Sequence, residues 1–236
     1  VTGNGLIQLR SQAVQIVFCD SVFATRGEGS CFLLAFLALI HRASQQSAFQ
    51  GRVERHRDLQ DPHFQDRWHY LVTLASRNDP AAMELRTVLS SHMLNNQELF
   101  DPTFANLPII ANDVLNDRWE VSLSAAVQRN LIPALSPPRL SELSQKRACY
   151  IWAILTLHPG TFIEHEHVQV LAHWLREKVG FVHLLHRSSM ISNGISTCIH
   201  NSILDRVSPE TVLLVKLLNR NNHHYEPLYG NSPVLF

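Results

Sequence analysis

The chain is poor in lysine. Lys146, Lys178 and Lys216 are its only three, so nearly all of its positive charge is arginine. It also has no charge excess: 20 basic side chains meet 20 acidic ones. That balance removes the electrostatic footprint of a nucleic-acid or anionic-membrane binder. No apolar run approaches the roughly 18 residues of a membrane span; the longest, Cys31 to Ile40, ends at His41-Arg42. Glycine (9) and proline (11) are too sparse for fibrous or low-complexity sequence. The four cysteines, Cys19, Cys31, Cys149 and Cys198, form no Cys-x-x-Cys pair. Such usage suits a reducing compartment better than a disulfide framework.

What is present suffices for a full-sized core: 236 residues, 45% of them hydrophobic. The whole of 1–236 reads as one domain. The chain opens on Val1 with no basic-then-apolar leader, so it reads as an excerpt of a longer protein. Ser11 to Phe18 has the composition of a short strand. Cys31 to about Ser44 reads as a buried helix entered through Ser30. Residues 45–65 are polar and aperiodic, a loop or insertion, with a short helix from Asp66 to Ala75. Asp79-Pro80 opens a clearer helix, stopping near Asn96. Further helices are expected around Trp119 to Asn130, over Ser141 to Leu157, and over Glu164 to Lys178. Phe181 to Leu185 and Thr211 to Leu218 read as strands, and 187–208 as loop. His224 to Tyr229 can return antiparallel after the Asn221-Asn222 turn. Helices first and strands late predict an α+β fold.

Cys31 follows a loop holding Gly27 and Gly29 and opens an apolar helix. The positive end of a helix dipole favours a thiolate. Glycines let backbone N–H groups approach a substrate carbonyl, as an oxyanion hole requires. A nucleophilic thiol also needs an imidazole within reach and an acceptor to orient it. His224 meets that need, because the two-residue period of a strand puts Glu226 on its face and His223 on the other.

Gly27-Glu28-Gly29-Ser30-Cys31-Phe32 resembles the nucleophile loop of ovarian-tumour (OTU) domain cysteine proteases. His224-Tyr225-Glu226-Pro227-Leu228 is similar to the family's terminal His-Tyr-Asp/Asn motif. Glu84-Leu85-Arg86 through Phe100 resembles its post-nucleophile helix, and Phe162-Ile163 to Ala172 the segment before its middle strand. The resemblance spans roughly residues 20–232. It implies a papain-like α+β fold, with a central, mostly antiparallel sheet flanked by helices and helical insertions at 45–65 and 101–140. It further implies isopeptide hydrolysis at the C-terminus of ubiquitin through a thioester. Cys31 is then the nucleophile, His224 the base and Glu226 its orienting acid, with Asn222 or Asp20 as alternatives. Gly27, Glu28, Gly29 and Ser30 form the oxyanion loop, and Tyr225 lines the substrate channel. Ubiquitin or its chains are the implied partner. No metal or other cofactor is implied, nor any nucleic-acid or membrane-spanning role.

Glu28, Leu34, Phe162-Ile163 and Glu226 depart from the family pattern and suggest a divergent, bacterial effector-type member. Its place of action would be the cytoplasm, that of a host cell if the protein is secreted; few lysines would suit work beside ubiquitin ligases. One of the two insertions is expected to be an arm for the distal ubiquitin. Two other readings stand beside the protease: a catalytically silent ubiquitin-binding module, or another papain-like acyl-transfer enzyme such as a glutamine deamidase. His165-Glu166-His167 lacks the spacing of a helical metal site.

Overall fold

A computed structural model describes residues 29–46, 62–77, 79–107, 112–134 and 139–179, and the backbone of strands at 6–7, 16–17, 182–192, 195–203, 213–220 and 224–227. The chain divides into two compact units. The first comprises 1–27, 31–78 and 175–236; the second comprises 28–30 and 79–174.

In the first unit, α1 (Cys31–Ser44) buries Cys31, Phe32, Leu33, Ala35, Phe36, Leu37, Ile40 and Ala43. Those positions cover about two thirds of the helix circumference, and Leu34, Ala38 and His41 make the less buried remainder. His41 and Arg42 fall in its last turn, where cations suit the negative end of the dipole. It packs on α2 (Pro62–Ala75), which turns Leu71, Leu74 and Ala75 inward. The helix expected from Asp66 therefore starts four residues earlier, inside the segment read as loop; 47–61 lie outside the described residues.

Two two-residue strands, β1 (Leu6–Ile7) and β2 (Ile16–Val17), pair antiparallel. The later backbone pairs in the order β4-β3-β5-β6, with β3 (Val182–Ser192), β4 (Ile195–Ile203), β5 (Leu213–Arg220) and β6 (His224–Pro227). The β3–β5 pair is parallel; β3–β4 and β5–β6 are antiparallel. Most of 187–208 is thus paired backbone rather than loop, a pattern its Ser- and Asn-rich sequence hides.

The second unit is built around α6 (Ala148–Leu155), against which α3 (Asp79–Asn95), α4 (Gln97–Phe104) and α5 (Asn112–Gln128) all pack. Ala82, Leu85, Leu89 and Met93 make the inner stripe of α3, and Pro80 sits in its first turn, where a missing N–H is tolerated. Phe100 and Phe104 of α4 and Trp119 of α5 are buried with them. The single helix expected over Ser141 to Leu157 is two pieces: a 3₁₀ turn, Leu140–Gln145, and α6, with Lys146 and Arg147 extended between them. The restart has a cause in α4: Asp101 Oδ1 accepts the Cys149 N–H at 3.1 Å, capping α6 from another helix. Helix α7 (His165–Lys178) follows.

The papain-like α+β architecture expected from the sequence is corrected by this structure. Of the residues whose side chains are described, 75% are helical and none lies in a strand or sheet. Every buried apolar side chain among the described residues belongs to a helix or a helix connection. The physical reason is that the apolar positions recur at helical spacing in α3 and fill whole helices in α1 and α6, so helix faces cover one another and supply the core.

Candidate functional site

Cys31 is the first residue of α1, a free thiol whose side chain is only 4% exposed. In the same unit α1 packs against β5 and β6. His224 is the first residue of β6 and pairs with Arg220; Tyr225 and Glu226 follow, opposite Asn219 and Leu218. Strand geometry puts residues 224 and 226 on one face and 225 on the other. The side chains of His224, Tyr225 and Glu226 lie outside the described residues, as do Asp20, Gly27, Glu28 and Asn222.

Gly29 and Ser30 are described, and an arginine holds them. Arg86, on the buried stripe of α3, is fully enclosed. Its Nη2 donates to the carbonyl oxygens of Gly29 (3.0 Å), Pro159 (3.1 Å) and Thr161 (2.7 Å), and its Nη1 to that of Thr156 (2.9 Å). Nε and Nη2 also reach the Ser30 hydroxyl, at 3.2 and 3.0 Å. A guanidinium taken out of water is tolerated only when its donors are satisfied, and loop carbonyls satisfy these. Gly29 is specified twice over. Its φ of +71° lies in the left-handed region, and a Cβ there would sit 2.9 Å from the Thr161 carbonyl oxygen and 3.0 Å from that of Pro159. Ile163 N–H adds a 3.2 Å bond to the Gly29 carbonyl.

Arg86 also adds to the effect of burial on the histidines around it. His167 is completely buried, and burial first, then the Arg86 charge, pushes its pKa down to about 3. Its tautomer follows from its partners. Nδ1 accepts the Glu164 N–H (3.1 Å), so the neutral ring carries its proton on Nε2 and donates to Thr156 Oγ1 (2.9 Å), which in turn donates to the Trp152 carbonyl (2.6 Å). Phe104 and Trp152 meet the ring edge-on. His165-Glu166-His167 is therefore the start of a helix, with His167 closing its first turn. His158 is lowered too, by burial and then by Arg118 and Arg86.

Cys149 is the other free thiol among the described residues, and its environment is the opposite of a reactive one. Burial, reinforced by the Asp101 carboxylate, pushes its pKa up to about 12, and its sulfur lies 3.7 Å from the Met93 carbonyl. A second histidine feature links α3 and α7: His92 Nε2 and His173 Nδ1 are 3.0 Å apart, with Phe100 against both rings. These are the described imidazoles best disposed to hold a metal ion, and Glu177 follows His173 by one turn of α7.

Sequence reasoning passed over Arg86, which entered only as part of a helix landmark. The signal was available: an arginine four residues after Ala82 and three before Leu89 stands in an apolar stripe, where an unpaired charge is not tolerated. His92, one residue before Met93 on the same helix, carried a fainter version of it. No protein-family model matches the chain, and no curated protein matches it.

Proposed function

We propose that the chain is a cysteine-dependent hydrolase acting on the C-terminus of ubiquitin, with Cys31 as nucleophile and His224 as base. The observation that carries this reading is the packing of α1, which opens with Cys31, against β6, which opens with His224. The loop and terminal motifs that resemble OTU proteases supply the substrate class, and Gly29 and Ser30, held by Arg86, precede the thiol directly.

In this mechanism His224 accepts the Cys31 proton and the sulfur attacks the carbonyl carbon of ubiquitin's last glycine. A C–S bond forms while the π pair moves onto oxygen, where backbone N–H groups of the loop receive it. Collapse of the tetrahedral species breaks the C–N bond; His224 returns its proton to the departing lysine amine. Water then attacks the thioester, giving its proton to His224, and the C–S bond breaks to release ubiquitin's carboxylate and restore the thiol. Glu226 shares the face of His224 on β6 and is the proposed orienting acid. The place of action is proposed as a reducing cytosol, in keeping with the free thiols.

One observation favours a second reading. At 4% exposure Cys31 is nearly closed to solvent, as suits a ubiquitin-binding module without activity. Hydrolysis of ubiquitin carrying a C-terminal fluorogenic amide separates the two. The hydrolase releases the fluorophore, loses that ability in Cys31→Ala and His224→Ala, and keeps most of its ubiquitin affinity. Binding without turnover in the wild type establishes the module instead.

A further inference from the structure

We propose that Arg86 is a positioning residue, setting the direction of the Gly29–Ser30 peptide so that the Ser30 N–H serves the oxyanion. This inference rests on the catalytic reading of Cys31 and adds to it the residue that orients the oxyanion donor.

Peptide planarity couples the two groups. In a trans peptide the C=O of one residue and the N–H of the next point in opposite directions, and the described residues contain no cis bond. The Gly29 carbonyl is drawn to Arg86 Nη2 at 3.0 Å and to Ile163 N at 3.2 Å. The N–H of Ser30, in the same rigid plane, is therefore turned away from the guanidinium. The plane cannot rotate cheaply, because reversing it strips the buried Gly29 carbonyl of both its donors, Arg86 Nη2 and the Ile163 N–H. The Ser30 hydroxyl, taken by both Nε and Nη2, fixes the next residue as well. A preorganised donor of this kind needs no rearrangement when charge develops on oxygen. Lysine cannot replace the arginine, since one ammonium lacks the planar fork that reaches carbonyls on separate segments.

The anchors sit in two stretches of sequence. Pro159 and Thr161 belong to the connection before α7, and Thr156 closes α6. Arg86 thereby ties the loop ahead of the nucleophile to the rigid helical core of its unit, a supporting shell of the kind catalytic geometry demands.

The test uses the whole chain and two ligands: unmodified ubiquitin, and ubiquitin bearing a C-terminal aldehyde. The Cys31 S–H adds across the aldehyde C=O, forming a C–S bond and leaving a tetrahedral oxygen where the oxyanion would lie. Arg86→Lys is expected to weaken aldehyde binding about tenfold and to lower kcat in parallel. Its affinity for unmodified ubiquitin and its KM should stay within about twofold of wild type, on the scale of a uniform-binding loss too small to matter. Loss of folding alone would reduce both ligands together. Should Arg86→Lys fail to fold, Ser30→Ala removes one acceptor of the clamp, and the same selective loss is expected, a few-fold in size. An active wild type whose variant keeps the aldehyde-to-ubiquitin affinity ratio overturns the positioning role and leaves the hydrolase reading intact. A wild type that turns over no substrate overturns both.

Discussion

The guanidinium of Arg86 lies 3.0 Å from the carbonyl oxygen of Gly29, two residues ahead of Cys31. A side chain on α3 thus governs a loop 57 positions earlier in the chain. The contact is closed from the other side by Gly29 itself, whose lack of a Cβ lets the Pro159–Thr161 backbone approach.

Both halves of that contact can be removed separately. Arg86→Ala takes the donor from the carbonyls of Thr156, Pro159 and Thr161 and leaves Gly29 only the Ile163 N–H, and at about 1–3 kcal/mol for each unsatisfied group the unit should lose several kcal/mol of stability. Gly29→Ala forces a left-handed φ and a close carbonyl contact on a residue with a Cβ, costing on the order of 1–3 kcal/mol. Denaturant unfolding followed by fluorescence measures each. A Gly29→Ala midpoint equal to wild type would contradict the packing described around this loop.

His167 makes stability pH-dependent. Its folded pKa, about 3, lies below the ordinary histidine value of 6.5, so the unfolded chain takes up a proton that the folded chain refuses. The contribution is fully present above pH 6.5 and is lost as pH falls below it, at about 1.4 kcal/mol per pH unit, until the folded value is reached. Unfolding free energies measured from pH 7.5 down to 5, before carboxylates intervene, should fall in wild type. In His167→Gln the same window should show a flatter slope. Equal slopes would contradict the buried neutral ring.

Cys149 should be chemically silent. With its pKa pushed up to about 12 by burial and by Asp101, it presents almost no thiolate at pH 8. Iodoacetamide treatment followed by peptide mass spectrometry should leave Cys149 unmodified in the native chain and label it in denaturant. Asp101→Ala removes both the repelling charge and the α6 cap, and should cost about 1 kcal/mol of stability. Rapid native labelling of Cys149 would contradict its enclosure.

Legibility in the sequence followed the apolar periodicities. The bounds of α1 and α3, and the start of α7 to within one residue, could be read from Cys31–Ser44, Asp79-Pro80 and Glu164–Lys178, because each helix carries its own pattern and punctuation. The break at Lys146–Arg147 could not, since its cause is Asp101, more than 40 positions away. The pairing of β3 with β4 escaped for a related reason: Ser-rich strands give no alternation, and partners decide their state. The expected fold class failed by weighing late β-rich runs above the helical stripes that build the packed core. Among the site residues, Cys31 and the Gly29–Ser30 loop stand out by motif, whereas Arg86 is legible only as a charge in the wrong stripe.

The most direct measurement is reaction of the chain with ubiquitin whose C-terminus carries a thiol-trapping electrophile, read by intact mass and peptide mapping. One ubiquitin added per chain, attached at Cys31, is the expected result, with no adduct in Cys31→Ala. A wild-type chain that gains no mass, or gains it at Cys149, would contradict it.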